Sequence, residues 1–184
     1  NDMKLKNLKI MIPICRTIEE GLLVQDIMAK HGLKRGVDGL QVYVMAEVPT
    51  NIILADRFAK IFDGFSIGSN DLTPFTLAIG RDAGNLKVAG VSNEKNDSVK
   101  ILIKYLIEVG KKTKTKVGIC GQAPSDFPDF ARYLVECGID SISLNPDTVI
   151  KTTLDLLAYE KKLGAKGGSS ASKSAGKKSL LGRK

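Results

Sequence analysis

Short apolar runs recur along the chain at Leu8 to Ile14, Leu40 to Ala46, Phe65 to Gly68, Lys116 to Ile119 and Ile139 to Leu144, each bounded by Gly, Pro or polar residues. Runs of this length between turn signals predict buried strands. Between them the apolar spacing lengthens to that of helices. Thr17-Ile18-Glu19-Glu20 has the capping-box spacing and predicts a helix to about His31 that stops at Gly32. Thr50 caps a second helix with Ile53, Leu54, Phe58, Ile61 and Phe62 at inward spacing. A third runs from about Asp97 to about Gly110. Ser125 opens the next, which Gly138 ends, and Asn145-Pro146-Asp147 opens the last, to about Glu160, with Ile150, Thr153, Leu154 and Leu157 on one face. Residues 72 to 96 break the rhythm. They carry Pro74, Gly80, Gly84 and Gly90 and read as a long loop, a feature that in compact domains is disproportionately functional.

A strand followed by a helix, repeated, returns the chain to the same end of the sheet each time, so the pattern predicts parallel strands in an α/β fold. The continuous apolar character of the strands is that of a sheet covered on both faces. In such folds the working residues stand at the carboxyl ends of the strands. Here three strands run into polar tips: Glu47-Val48-Pro49, Ser69-Asn70-Asp71 and Cys120-Gly121-Gln122. If those strands are neighbours, Glu47, Asp71 and Cys120 gather on one rim beside Asn70. Two carboxylates, an amide and a thiol together suit metal-assisted chemistry with an acid/base cysteine.

Each residue also has a plainer reading. Alone, Glu47 or Asp71 is a surface or capping carboxylate, Asn70 a turn residue and Arg81 a solvated loop cation. A cysteine is ordinarily a small buried hydrophobe, the role assigned to Cys15 and Cys137. His31, at a helix end outside these tips, is read as structural.

Charge changes the picture less than its total suggests. The 184 residues carry a net +8, yet eight Lys or Arg and no acid fall in residues 161–184. Residues 1–160 therefore hold 20 basic and 20 acidic residues. We place the boundary there: a neutral globular domain at 1–160 and a basic Gly/Ser/Lys-rich tail at 161–184, too poor in apolar residues to offset its ordering entropy and expected to be disordered. A solvated tail is preferred over a nucleic-acid contact. Three cysteines without metal spacing predict no disulfide framework and an intracellular, reducing compartment, the cytoplasm. No apolar run is long enough for a membrane span.

The motifs Val44 to Asn51 (VMAEVPTN), Phe65 to Thr73 (FSIGSNDLT), Gly118 to Asp126 (GICGQAPSD) and Ser141 to Asp147 (SISLNPD) stand in that order. Together they closely resemble the carboxyl-terminal domain of the phosphoenolpyruvate-utilising enzymes. GICGQAPSD and Lys30 to Gly36 (KHGLKRG) are most similar to the phosphoenolpyruvate synthases within that family. The resemblance, over about residues 8 to 158, implies strands four to eight of a TIM (β/α)8 barrel. It implies a part of an enzyme that converts pyruvate, ATP and water to phosphoenolpyruvate, AMP and phosphate through a phosphohistidine. By the same resemblance Glu47 and Asp71 bind Mg²⁺, Asn70 and Arg81 bind the phosphoryl group, Cys120 exchanges the proton at the methyl or methylene carbon, and Gln122 orients substrate. Pro74 departs from the family's glutamine. The nucleotide-binding and phosphohistidine domains have no counterpart in this chain, so they are expected as partners, along with a homo-oligomer, and the isolated chain is expected to be inactive. A non-catalytic assembly fragment, or a relative of pyruvate, phosphate dikinase, is the alternative.

Overall fold

A computed structural model describes residues 7–80, 90, 91 and 93–174, with side chains to residue 164. Arg81 and residues 175–184 of the tail lie outside the described residues. Five strands, β1 (Lys9–Ile12), β2 (Gln41–Ala46), β3 (Gly64–Ile67), β4 (Lys116–Ile119) and β5 (Ser141–Ile142), form one sheet in sequence order. Every pair is parallel. The helices are α1 (Ile18–Lys30), α2 (Pro49–Ile53), α3 (Ala55–Ile61), α4 (Ser69–Leu77), α5 (Asp97–Thr113), α6 (Ala123–Asp126), α7 (Pro128–Cys137) and α8 (Val149–Ser174). Sequential parallel order with a helical crossover after each strand is the pattern of an open piece of a TIM barrel.

The core lies between the sheet and the helices. Val42, Val44, Phe65, Ile67, Val117 and Ile119 point from the strands onto Phe58 and Phe62 of the α3 region, Ile103 and Ile107 of α5, and Phe130 and Leu134 of α7, all buried. Among the described residues nothing covers the opposite face, contrary to the expectation of two buried faces. Tyr43, Met45, Ser66 and Gly118, at the alternate positions, are half-buried. An open groove of about 420 Å³ runs over that side, lined by Lys9, Met11, Tyr43, Ser66, Gly118 and Ser141. A closed barrel fills this side with side chains from strands this chain does not contain.

Several elements differ from their sequence patterns for local reasons. The expected box at α1 is half-formed: Thr17 Oγ1 accepts from Glu20 N at 3.2 Å, but the Glu20 carboxylate accepts from Arg16 N at 2.8 Å and from its guanidinium instead. The single helix expected after Thr50 is two, broken at Leu54, and Thr50 Oγ1 donates to Arg16 O rather than capping. That break turns Ile53 outward, 63% exposed. The long loop is shorter than expected because α4 begins directly at Ser69 and carries Pro74 in its interior. Pro74 removes a donor that would pair with Asn70 O. Gly138, at φ +76, ends α7 as the pattern required. The strand expected at Ile139 to Leu144 is only the pair Ser141–Ile142. α8 continues beyond Glu160, into the segment expected to be disordered, and its expected apolar face is exposed, Ile150 at 76% and Leu154 at 62%. The helix docks on α7 through other positions, with Thr152 buried and Arg132 donating to Asp155 at 2.9 Å.

Candidate functional site

The ladder aligns Ala46 with Ile67 and Ile67 with Ile119. It continues one step beyond, where Gly68 N donates to Ala46 O at 3.2 Å and Cys120 N to Ile67 O at 3.0 Å. Glu47, Gly68 and Cys120 are therefore level at the carboxyl rim, on the uncovered face that Met45, Ser66 and Gly118 also present. An α/β sheet of parallel strands opens its ligand crevice at this end.

Glu47 is buried at 2% exposure, and Ile14 N donates to its Oε1 at 2.6 Å. Ile14 holds φ +47, a left-handed conformation costly for a β-branched residue. Such strain persists only where the surroundings over-determine it. The turn after β1 is pinned three ways, by Glu47, by Asn51 Nδ2 donating to Cys15 O and by Thr50. A Cβ built on Gly68 would lie 2.9 Å from Glu47 Oε2 and 3.2 Å from Met45 Sδ. Glycine there is what leaves the carboxylate its place at the rim.

The first turn of α4 follows at once and carries Asn70 and Asp71, so both stand on a helix start rather than in a loop. Asp71 N and Leu72 N donate to Gly68 O at 3.1 and 2.9 Å, fixing that turn to the strand. Asn70 Oδ1 accepts from Gln122 N at 3.3 Å, which ties the tips of β3 and β4 together. The Cys120 Sγ lies 3.5 Å from Ile67 O and is exposed to the rim. Cys15 is buried, as expected of a small hydrophobe, and burial pushes its own thiol up from its ordinary range.

The structure thus brings Glu47, Asn70, Cys120 and Gln122 to one rim, with Asp71 on the same first turn as Asn70. One further side chain there, Glu94, escaped the sequence reading. Ser69 Oγ donates to Glu94 Oε2 at 2.6 Å, and Ala123 N donates to the same oxygen at 3.3 Å. Nothing in the local sequence of Glu94 signals this, because its partners lie 25 and 29 residues away. Among the described residues no group of three or more His, Cys, Asp or Glu could hold a metal. A carboxylate pair with room left for water and ligand oxygens is the arrangement a hard divalent cation such as Mg²⁺ accepts, whereas a caged ion needs more. The buried Glu47 carboxylate, in the space that Gly68 leaves, fits that donor type. No helix among the described residues is long and apolar enough to cross a membrane.

Comparison with known proteins agrees with this architecture. The sequence profile described as "PEP-utilising enzyme, PEP-binding domain" matches residues 2–160. A phosphoenolpyruvate synthase of Aquifex aeolicus is 61% identical over 164 residues, covering 89% of this chain and 19% of the relative. That of Escherichia coli is 50% identical over 161 residues, covering 88% of this chain and 20% of the relative. The chain thus spans about a fifth of the length of these relatives. Among solved structures, a HpcH/HpaI aldolase/citrate lyase family protein of Burkholderia cenocepacia superimposes with a TM-score of 0.55 at 15% identity, over 88% of this chain and 65% of the other. A HpcH/HpaI aldolase of Desulfitobacterium hafniense does so with a TM-score of 0.53 at 14% identity, over 98% of this chain and 67% of the other. At such identities the likeness concerns the fold alone.

Proposed function

The chain belongs to the PEP-utilising enzymes, in their PEP-binding domain, and from that premise we propose that it forms the pyruvate and phosphoenolpyruvate half-site of a phosphoenolpyruvate synthase. The observation that carries the reading is the convergence at one rim of Glu47, Cys120 and the Asn70–Gln122 link. In the proposed reaction pyruvate loses a methyl proton, and the enolate oxygen takes a phosphoryl group from a phosphohistidine elsewhere in the enzyme. Glu47 and Asp71 would hold Mg²⁺, which when bound supplies positive charge beside the enolate oxygen. Cys120 takes the methyl proton in the forward direction and returns one to the methylene carbon in reverse. Its exposure at the rim suits this, as a proton-transfer group must reach the carbon. Asn70 donates its side-chain amide to phosphoryl oxygens while its Oδ1 holds the Gln122 amide. Gln122 steers the substrate carboxylate, and Arg81, in the family's position after the N-D-L-T segment, adds a charge-assisted contact to the phosphoryl group.

The remaining parts of the reaction, nucleotide binding and the phosphohistidine, are proposed to come from the rest of a longer polypeptide. Supporting this, Leu22 and Leu23 on α1 and Ile150 and Leu154 on α8 are exposed at the two ends of the sheet order. They are the faces that neighbouring barrel helices would cover. The enzyme is proposed to be cytoplasmic and to assemble as a homo-oligomer.

Oxalate, a planar dianion resembling the pyruvate enolate, tests the half-site. Titration should show oxalate binding that depends on Mg²⁺ and is lost in Glu47→Ala and in Asp71→Ala. Unchanged Mg²⁺-dependent binding in both variants would remove those residues from the assignment.

A further inference from the structure

The tips of β3 and β4 are separate pieces of chain, and a site divided between them works only if they stay in register. Direct contact between them is close but slight. Asn70 Oδ1 and Gln122 N are 3.3 Å apart, and Gly121 sits against Ser69 with no space for a side chain. Below them the ladder bond from Cys120 N to Ile67 O at 3.0 Å holds the strand ends together, but past it the packing of Gly121 on Ser69 only keeps the tips from approaching further. The carboxylate of Glu94 adds a second restraint beyond the last ladder bond and the Asn70–Gln122 link. One oxygen, Oε2, accepts from Ser69 Oγ at 2.6 Å on the β3 side and from Ala123 N at 3.3 Å on the β4 side.

Glu94 is itself held. Lys95 N donates to Asn93 Oδ1 at 2.8 Å and Asn96 N to Asn93 O at 2.9 Å, closing a turn around it. Asn96 Oδ1 then accepts from Ser98 N at 2.9 Å and starts α5. On the far side, Lys95 Nζ lies 4.5 Å from the centroid of the Phe127 ring and 3.3 Å from Asp129 Oδ2. The turn is thus anchored to both α5 and α7.

We propose that Glu94 is a positioning residue that bridges Ser69 and Ala123, and so holds the Asn70–Asp71 turn in register with the Cys120–Gln122 tip. The catalytic side of this inference rests on the half-site reading above; the bridge itself does not. Because one oxygen accepts both donors, the charge is dispensable and reach is not. A glutamine carbonyl can take both bonds, whereas alanine can take neither.

The test uses the full polypeptide, with three readouts on Glu94→Ala, Glu94→Gln and Ser69→Ala. Amide hydrogen exchange at Gln122 and Ala123 should speed up in Glu94→Ala and stay near wild type in Glu94→Gln. The rate at which iodoacetamide modifies Cys120 should change in Glu94→Ala, with Cys137 as the internal reference, and be restored in Glu94→Gln. Mg²⁺-dependent oxalate affinity should fall about ten-fold in Glu94→Ala and stay within about three-fold in Glu94→Gln, as for other supporting residues around a site. Ser69→Ala should reproduce part of the Glu94→Ala effect and add little to it in the double variant. A wild-type protein that does not bind oxalate counts against the half-site reading, and exchange and alkylation then decide the bridge alone. Equal behaviour of the alanine and glutamine variants in all three readouts, or a change in thermal midpoint with exchange, alkylation and affinity unmoved, overturns the proposal.

Discussion

Gly121→Ala probes the closest approach at the rim. The backbone there is not in the left-handed region, so alanine is excluded by space and not by dihedral angle. Its methyl would overlap the Ser69 hydroxyl oxygen and stand 3.0 Å from Ser69 Cβ and 3.2 Å from Ser69 N. Rotating the hydroxyl away removes only the first clash and gives up its 2.6 Å bond to the Glu94 carboxylate. The remaining contacts involve the β-carbon and backbone nitrogen of Ser69, which can retreat only if the first turn of α4 moves. Overpacking costs about 1–3 kcal/mol, and a hydrogen bond to a charged group about 1.5–3 kcal/mol. Since relaxation trades one cost against the other, a loss of about 3 kcal/mol is expected. For a domain of this size that is a fall of roughly 6–12 °C in thermal midpoint. Oxalate affinity should fall with it, because Asn70 and Asp71 ride on the displaced turn. The assay is thermal unfolding of Gly121→Ala beside Ser69→Gly/Gly121→Ala, in which removing the Ser69 side chain opens the space. Wild-type stability in the single variant, or a double variant that falls below Ser69→Gly by as much as Gly121→Ala falls below wild type, would refute the reasoning.

Other perturbations have equally definite signs. Lys114, at φ +58, closes α5 in the left-handed conformation while exposed, so Lys114→Gly should raise stability by about 1 kcal/mol, read as a higher thermal midpoint. The Arg132 guanidinium holds the Asp155 carboxyl below its ordinary value of 3.8, so the pair's contribution is present above that pH and lost as pH falls through the lowered value. The gap in thermal midpoint between wild type and Asp155→Asn should therefore be open at neutral pH and close below 3.8; a gap that persists under acid would contradict it.

Strand existence and parallel order were legible in the sequence because both are local. Apolar runs, capping residues and Gly138 act within a few positions of themselves, and alternation of strand with helix permits no other sheet direction. The rim residues were legible for the same reason, since Glu47, Asn70, Asp71, Cys120 and Gln122 each stand where an apolar run turns polar. Other features have causes outside their own segments. Pro74 sits inside α4 because the helix starts at Ser69, pinned to Gly68 O, and not where the loop chemistry pointed. The apolar positions of α8 face outward because their periodicity records that a surface is to be covered and not which chain covers it. The bridge from Glu94 to Ser69 and Ala123 has no sequence signal at all, as hydrogen bonds across 25 and 29 residues form only once the sheet has brought the strand ends together. The sequence by itself determined the elements, their direction and which strand tips carry chemical groups; only the tertiary structure decided the register that sets Glu47, Gly68 and Cys120 level and the contacts that hold them there, because register depends on packing between segments that no single segment encodes.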